Sequence, residues 1–404
     1  MSVHFPSQTF VGIWNWIPEK IVQGVPAFAK WRRQSAQKHA KLAVQSYEAA
    51  NIDAAIAEFS KAIELEPRNC EYLYELGRIY YDQSNLVSAE GYFRRALNVD
   101  FSYAYALKGL AYTLHGLGRT DEAIYSLLRY LEESPNDRDV HAFLIAALEA
   151  DGKYDEAIRA GELAMKIFRS DPGLAVALGR NYYYAGKNEA AVSQLRQAIE
   201  LDPNDSEIHW LLGIVLQTDG DLEGALKSFQ EAVGKNPENA DAHLQMAQVY
   251  DQLNRDAEYL QAARTARRLF ESGQNNDGVK GACWEEGWAL YKLGRWAESA
   301  QASECALGID DSLAPVRFNL GLALLRLGKP ERAKDEYEKA LDATDLSSLK
   351  THGIDDLTAA LKEDPGLGGA REILQQLENK YQYLTSQRQE ELAAQGNPKR
   401  SQPR

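Results

Sequence analysis

Apolar residues along this chain recur at steps of three and four, and the same grammar restarts about every 34 residues. Four stretches show it: "LYELGRIYYDQSNLVSAEGYFRRALNVD" (73–100), "AVALGRNYYYAGKNEAAVSQLRQAIELDP" (175–203), "HWLLGIVLQTDGDLEGALKSFQEAVGKNP" (209–237) and "RFNLGLALLRLGKPERAKDEYEKALDAT" (317–344). In each, an apolar residue precedes a small one (Leu76-Gly77, Leu178-Gly179, Leu212-Gly213, Leu320-Gly321). A turn glycine follows in most copies (Gly186, Gly220, Gly328), then an alanine (Ala89, Ala191, Ala225, Ala333). A bulky residue comes next (Phe93, Leu195, Phe229, Tyr337), then another alanine, and proline closes several units (Pro67, Pro135, Pro203, Pro237). Spacing of three and four makes each helix one-faced. Glycine admits the positive φ of a tight turn, and proline cannot continue a helix interior. Small residues let two helix axes cross closely while the bulky one fills the gap between layers. The pattern predicts antiparallel helix pairs stacked in series.

These residues resemble the tetratricopeptide repeat (TPR), whose unit is 34 residues long. In phase, units fall at 36–69, 70–103, 104–137, 138–171, 172–205, 206–239, 240–279, 280–313 and 314–347. The resemblance implies an all-α fold, a right-handed α-solenoid of about nine TPR helix pairs with capping helices at its ends. Departures are local. Phe101 replaces the closing proline of the second unit, and Gly161 stands where the fourth wants bulk, its proline displaced to Pro172. The seventh has Tyr259 where the small alanine belongs and runs into "ESGQNNDG" (271–278), a stretch of turn composition. Residues 271–279 are therefore expected as an irregular loop or hinge between units 1–7 (36–270) and units 8–9 (280–347). Beyond them, 348–394 read as capping helices ("DDLTAALKE", 355–363, and 369–394), and 395–404 as a disordered tail.

Charge sharpens the picture at the front. The chain carries −14 overall, which argues against binding nucleic acid through a basic face. Residues 1–41 run the other way, with Lys20, Lys30, Arg32, Arg33, Lys38 and Lys41 against Glu19 alone. Within this part lies "FVGIWNWIPEKIVQGVPAFAKW" (10–31), which is interrupted by Asn15 and Pro18 and too short an apolar run to span a bilayer. Its cations follow the apolar run, whereas a secretory leader wants them before it. Two readings of residues 1–35 stay open. Ile13, Ile17, Ile21, Val25 and Phe28 would bury one helix side against the first repeat, as a cap. Alternatively Trp14, Trp16 and Trp31 with their cationic neighbours would dock on a membrane surface or a partner. The three cysteines, Cys70, Cys283 and Cys305, match no metal or CxxC spacing, so no disulfide framework and a reducing compartment are expected.

No catalytic constellation stands out. His141, His209 and His243 share the fourth position of their units, an inter-helix packing position in the family. HExxH, GxSxG and phosphate-loop motifs are absent, and the expectation is no enzyme, no cofactor and no metal. The resemblance places the second, fifth, sixth, ninth, twelfth and thirteenth residues of each unit on a concave groove. There stand Tyr74, Arg78, Tyr81, Tyr105, Lys108, Tyr112, Phe143, Arg180, Tyr183, Tyr184, Trp210, Gln245, Gln248, Trp284, Trp288, Tyr291 and Phe318. Aromatic side chains give wide contact with few rotors to freeze. Some family members clamp a C-terminal carboxylate with lysine and asparagine, but here the matching positions of the first unit are Ala40 and Val44. The expected function is a non-enzymatic scaffold or adaptor, cytoplasmic or peripheral to a membrane, that holds an extended or helical polypeptide with apolar anchors. The rivals are a membrane-associated assembly factor using the Trp-rich front and a self-assembling solenoid.

Overall fold

The computed structural model describes residues 26–395, and among these all regular structure is helical. Trp14, Trp16 and the readings that rest on residues before Pro26 lie outside the described residues, as does the tail after Gln395. Two compact units make up the chain, Met1–Gly186 and Lys187–Arg404.

The first unit holds helices α1 (Pro26–Glu48), α2 (Ile52–Leu65), α3 (Cys70–Asp82), α4 (Leu86–Val99), α5 (Ala104–Gly116), α6 (Thr120–Glu133), α7 (Arg138–Ala150), α8 (Tyr154–Ile167) and α9 (Pro172–Tyr184). Residues 26–35, expected to belong with a separate front segment, are continuous with the first helix of repeat 1, and Arg32 donates to the Leu65 carbonyl at 2.9 Å. The second unit runs through α10 (Asn188–Leu201), α11 (Ser206–Thr218), α12 (Leu222–Lys235), α13 (Ala240–Gln252), α14 (Asp256–Ser272), α15 (Asn276–Lys292), α16 (Trp296–Ile309), α17 (Ala314–Arg326) and α18 (Pro330–Ala343). A helical turn, Leu346–Ser348, then leads into a π-helix, Leu349–Asp355, followed by α19 (Asp356–Glu363) and α20 (Ala370–Gln395). The chain is an α-solenoid of stacked helix pairs.

One backbone feature unites the repeats. The turn between the two helices of a repeat has a positive-φ residue in all nine: six are glycines, and Ala50, Ser84 and Asn254 take the other three. Side chains interlock across the helix pair in repeats 2, 6 and 9. A Cβ on Gly77 would lie 2.8 Å from the Phe93 ring, one on Gly213 2.5 Å from Phe229, and one on Gly321 2.6 Å from Tyr337. The small residue is thus the socket for the bulky one, as ridge-into-groove packing requires. Repeat 4 fills the space beside Gly161 from outside: Leu178 of α9 approaches to 3.0 Å from where its Cβ would be. The position-four histidines each turn a ring nitrogen to the carbonyl of the proline six residues earlier, at 2.9 Å for His141, 3.2 Å for His209 and 3.3 Å for His243.

Two expectations need correction. The stretch 271–279 is not an irregular loop: α14 continues through Ser272, α15 starts at Asn276, and only 273–275 turn. The extra residues of repeat 7 lengthen both helices, and the Asn275 side chain caps α15 by accepting from the Gly278 amide at 3.0 Å. Tyr259 and Ala263 have exchanged bulk by one helical turn, and Tyr259 is fully buried with its hydroxyl donating to Glu285 at 2.5 Å. Glu285 also accepts from Gln248 at 3.1 Å, while the buried Glu286 takes Arg264 at 2.8 Å and Arg267 at 3.0 Å. The second correction concerns cysteine. Cys283 and Cys305 form a disulfide, their Cα atoms 6.2 Å apart, and Cys70 is the free thiol. Both lie eleven residues from Gly294, one on each side, so the antiparallel register of α15 and α16 brings them opposite each other.

Candidate functional site

In the first unit the first helices of successive repeats, α1, α3, α5, α7 and α9, carry a continuous band of rings and ion pairs. Between α1 and α3, the Tyr47 hydroxyl donates to Asp82 at 2.5 Å, and the Arg78 guanidinium lies 4.9 Å from the Tyr47 ring. Between α3 and α5, Tyr74 and Tyr105 meet at 5.6 Å, with Tyr103 against both at 6.0 and 5.8 Å. Between α5 and α7, Tyr112 meets Phe143 edge-on at 4.7 Å, and His115 meets the same ring at 5.0 Å. Between α7 and α9, Glu149 takes Arg180 at 2.9 Å and Asn181 at 2.9 Å. Tyr184 ends the band, with Tyr183 at 5.6 Å and Tyr154 of α8 at 5.4 Å.

Exposure varies along this band. Tyr105 is 63% exposed, Tyr184 48% and Tyr81 37%, while Tyr74, Tyr112, Phe143 and Tyr183 are half-buried. Burial raises the Tyr74 and Tyr103 phenols above the ordinary tyrosine value, so both stay protonated and able to donate. The three cations expected on this face are all held by carboxylates of their own chain. Arg78 binds Glu75 at 2.8 Å and Asp82 at 3.5 Å, Lys108 binds Asp137 at 2.8 Å, and Arg180 binds Glu149. Tyr47, at the twelfth position of the first unit, belongs to the same surface although it was not named among the groove residues, and so do Tyr103 and Tyr154. Tyr103 and Tyr154 lie outside the first-helix positions and enter only through the packing of neighbouring elements.

The corresponding positions of the second unit behave differently. Trp210 and Gln245 are half-buried, and Gln248 is engaged with Glu285. In repeats 8 and 9 the chain covers its own face. Phe318, expected to line a groove, is fully buried. A Cβ on Gly353 of the π-helix would sit 3.3 Å from its ring, and it shares a core with Leu349, Ile354 and Leu357. Trp288 and Tyr291, stacked at 5.4 Å, pack on that core. Trp284 meets His352 at 6.0 Å, and Arg326 donates to the Tyr291 hydroxyl at 3.2 Å while pairing with Glu363. The segment after repeat 9 therefore reaches back past α17 to α15. Trp31, on α1, is 54% exposed beside Phe28 at 5.6 Å. Among the described residues, no group of acidic, histidine and cysteine side chains is arranged to hold a metal, and no helix is long and apolar enough to cross a membrane.

Comparison with known proteins agrees with this architecture. Family profiles described as tetratricopeptide repeat match residues 41–104, 109–173, 216–282 and 314–344, and one described as TPR repeat matches 179–220. The chain is similar to a DnaJ homolog subfamily C member 7 homolog of Schizosaccharomyces pombe, 26% identical over 216 residues, which are 48% of this chain and 44% of that protein. It is also similar to the type IV pilus assembly protein PilF of Pseudomonas aeruginosa, 28% identical over 170 residues, covering 41% of this chain and 51% of PilF. The chain spans about half the length of these two relatives. A solved structure of the C-terminal part of a TPR repeat-containing protein from Cytophaga hutchinsonii superposes with a TM-score of 0.52 at 15% identity. That likeness covers 61% of this chain and 99% of the other, and speaks for the fold alone. With matching profiles in both units and the same turn and socket recurring from repeat to repeat, the chain belongs to the tetratricopeptide repeat family.

Proposed function

We propose that this protein is a non-enzymatic scaffold or adaptor that holds a polypeptide along the aromatic face of α3, α5, α7 and α9. Family membership supports protein–protein interaction as the general role. The observation that carries the finer reading is the band of rings in the first unit, which leaves Tyr81, Tyr105 and Tyr184 partly open to solvent. Exposed aromatics in a row are an energetic liability in water and an asset at an interface, where rigid amphipathic rings form hot spots. The face of repeats 8 and 9 is taken by the chain's own residues 349–363, so the binding role is assigned to the first unit.

The experiment is capture from the source cells with the full chain as bait, read by mass spectrometry. A triple variant, Tyr81→Ala, Tyr105→Ala and Tyr184→Ala, is expected to lose polypeptides that the unaltered chain enriches, with an unchanged helical circular dichroism spectrum. Equal capture by both baits rejects the reading.

A further inference from the structure

We propose that the Cys283–Cys305 disulfide is a redox-sensitive clamp. It fastens repeat 8 where that repeat lacks a ring, and so controls how firmly the C-terminal segment is held on the array.

The missing ring is the first argument. The position that holds Phe59, Phe93, Leu127, Phe229 and Tyr337 in other repeats is Ser303 in repeat 8, and the alanine four residues earlier is Ser299. Both serines are buried. The socket, Gly287, therefore meets a hydroxyl: a Cβ there would lie 3.1 Å from the Ser303 oxygen, and Ser299 donates to the Gly287 carbonyl at 2.8 Å. Serine buries far less apolar surface than phenylalanine or tyrosine, so less hydrophobic contact joins these two helices than joins those of repeats 2, 6 and 9.

Placement is the second. The turn at Gly294 closes one end of the α15–α16 hairpin, and the disulfide lies on the other side of Gly287. A cross-link across the pair restricts the unfolded chain and supplies what the serines do not. Cys283 is fully buried and shares a core with Phe270 of repeat 7 and Val316 of repeat 9. Trp284 packs on that core and meets His352 of the π-helix at 6.0 Å, while Trp288, one turn on, packs on the core under residues 349–363. Loosening α15 therefore reaches the C-terminal cover through two tryptophans.

Access is the third. Cys305 is partly exposed, whereas Cys283 is enclosed. The thiolate of a dithiol attacks the Cys305 sulfur, the bond to Cys283 breaks, and Cys283 leaves as a thiolate that takes a proton. The second thiol of the dithiol then displaces Cys305, which also ends as a thiol. Two electrons and two protons have passed to the pair, and the dithiol has become a disulfide. Glutathione disulfide runs the exchange backwards and is itself reduced to two molecules of glutathione.

The test uses the full chain, treated with glutathione disulfide or with dithiothreitol, then denatured and labelled with iodoacetamide. One labelled cysteine, Cys70, is expected after the first treatment and three after the second. Hydrogen exchange on the native chain should then show amides of α15, α16 and residues 349–363 exchanging about tenfold faster or more once the pair is reduced, with those of α3 to α6 unchanged. Cys283→Ala with Cys305→Ala should exchange like the reduced chain under both treatments. If that variant does not fold, the unaltered chain under the two treatments decides. Three labelled cysteines after excess glutathione disulfide mean that the pair does not close, and overturn the proposal. It is equally overturned by a pair that dithiothreitol reduces only in the denatured chain, and by exchange in residues 349–363 that ignores the redox state.

Discussion

At the residue scale, a repeat is held together by one socket and one ring. Gly213 is small because Phe229 lies where its side chain would be, and both sit in the middle of a helix pair that cannot separate without losing the rest of its contacts. Gly213→Ala adds one methyl 2.5 Å from that ring. Overpacking of this kind costs about 1–3 kcal/mol, which outweighs the helix-propensity gain of alanine over glycine, about 1 kcal/mol. A lowered urea midpoint is expected, and an unchanged or raised one would mean that the pair relaxes freely. This socket was legible in the sequence, because Leu212-Gly213 and Phe229 recur in phase with their counterparts in other repeats. The Cys283–Cys305 pair was less so. Spacing motifs missed it, although the equal distance of both cysteines from Gly294 was a usable signal once an antiparallel pair was assumed.

At the element scale, repeat 7 shows how an insertion is absorbed. Turn-rich composition at 271–279 pointed to a loop, yet asparagine and glycine there cap and start a helix. Composition alone does not distinguish a cap from a loop. The lengthened helices enclose a polar cluster in which Glu285 receives the hydroxyl of Tyr259 and the amide of Gln248. Burial pushes the Glu285 carboxyl above the usual carboxylate range, and nearby Asp251 adds to the effect, while the two hydrogen bonds oppose it. Its ionised form is therefore less favourable in the folded chain than in the unfolded one. That penalty is absent below the ordinary carboxyl pKa, grows as pH rises through it, and is complete above the raised folded value. Glu285→Gln keeps an acceptor for Tyr259 and removes the charge. The variant should be more resistant to urea than the unaltered chain near neutral pH, with the difference shrinking toward about pH 4. A variant less stable at neutral pH would show that Glu285 is worth more ionised than neutral.

At the scale of the whole molecule, the end of the array matters most. Repeat 9 would expose the apolar side of α17 were it not covered by residues 349–363 and α20. A solenoid needs such a cover, because its last repeat has no successor. Leu349 is fully buried in that core with Phe318 and Leu357. Leu349→Ala should lower stability by about 2–5 kcal/mol through lost burial and the cavity left behind. Trp284 and Trp288 report on it: their fluorescence should shift to the red at lower denaturant than in the unaltered chain. Coincident curves would mean that the C-terminal segment is laid on the array without stabilising it. The position rule that put Phe318, Trp284 and Trp288 on an open groove failed here. It describes a repeat with neighbours on both sides, whereas the end of the array is covered by a segment of another kind.

By itself, then, the sequence determined the helix pair, its turn, its socket and its period, because these depend on residues at most one repeat apart. It also determined family and general role. Tertiary structure alone decided which faces stay open. Pairing of Lys108 and Arg180 with carboxylates beyond their own helices, burial of Phe318 under the π-helix, and entry of Tyr103 and Tyr154 into the aromatic band all depend on contacts between elements. A repeat pattern fixes where a side chain points along its own helix. Whether that direction ends in solvent, in an ion pair or in the chain's own tail is set by neighbours that the pattern does not encode.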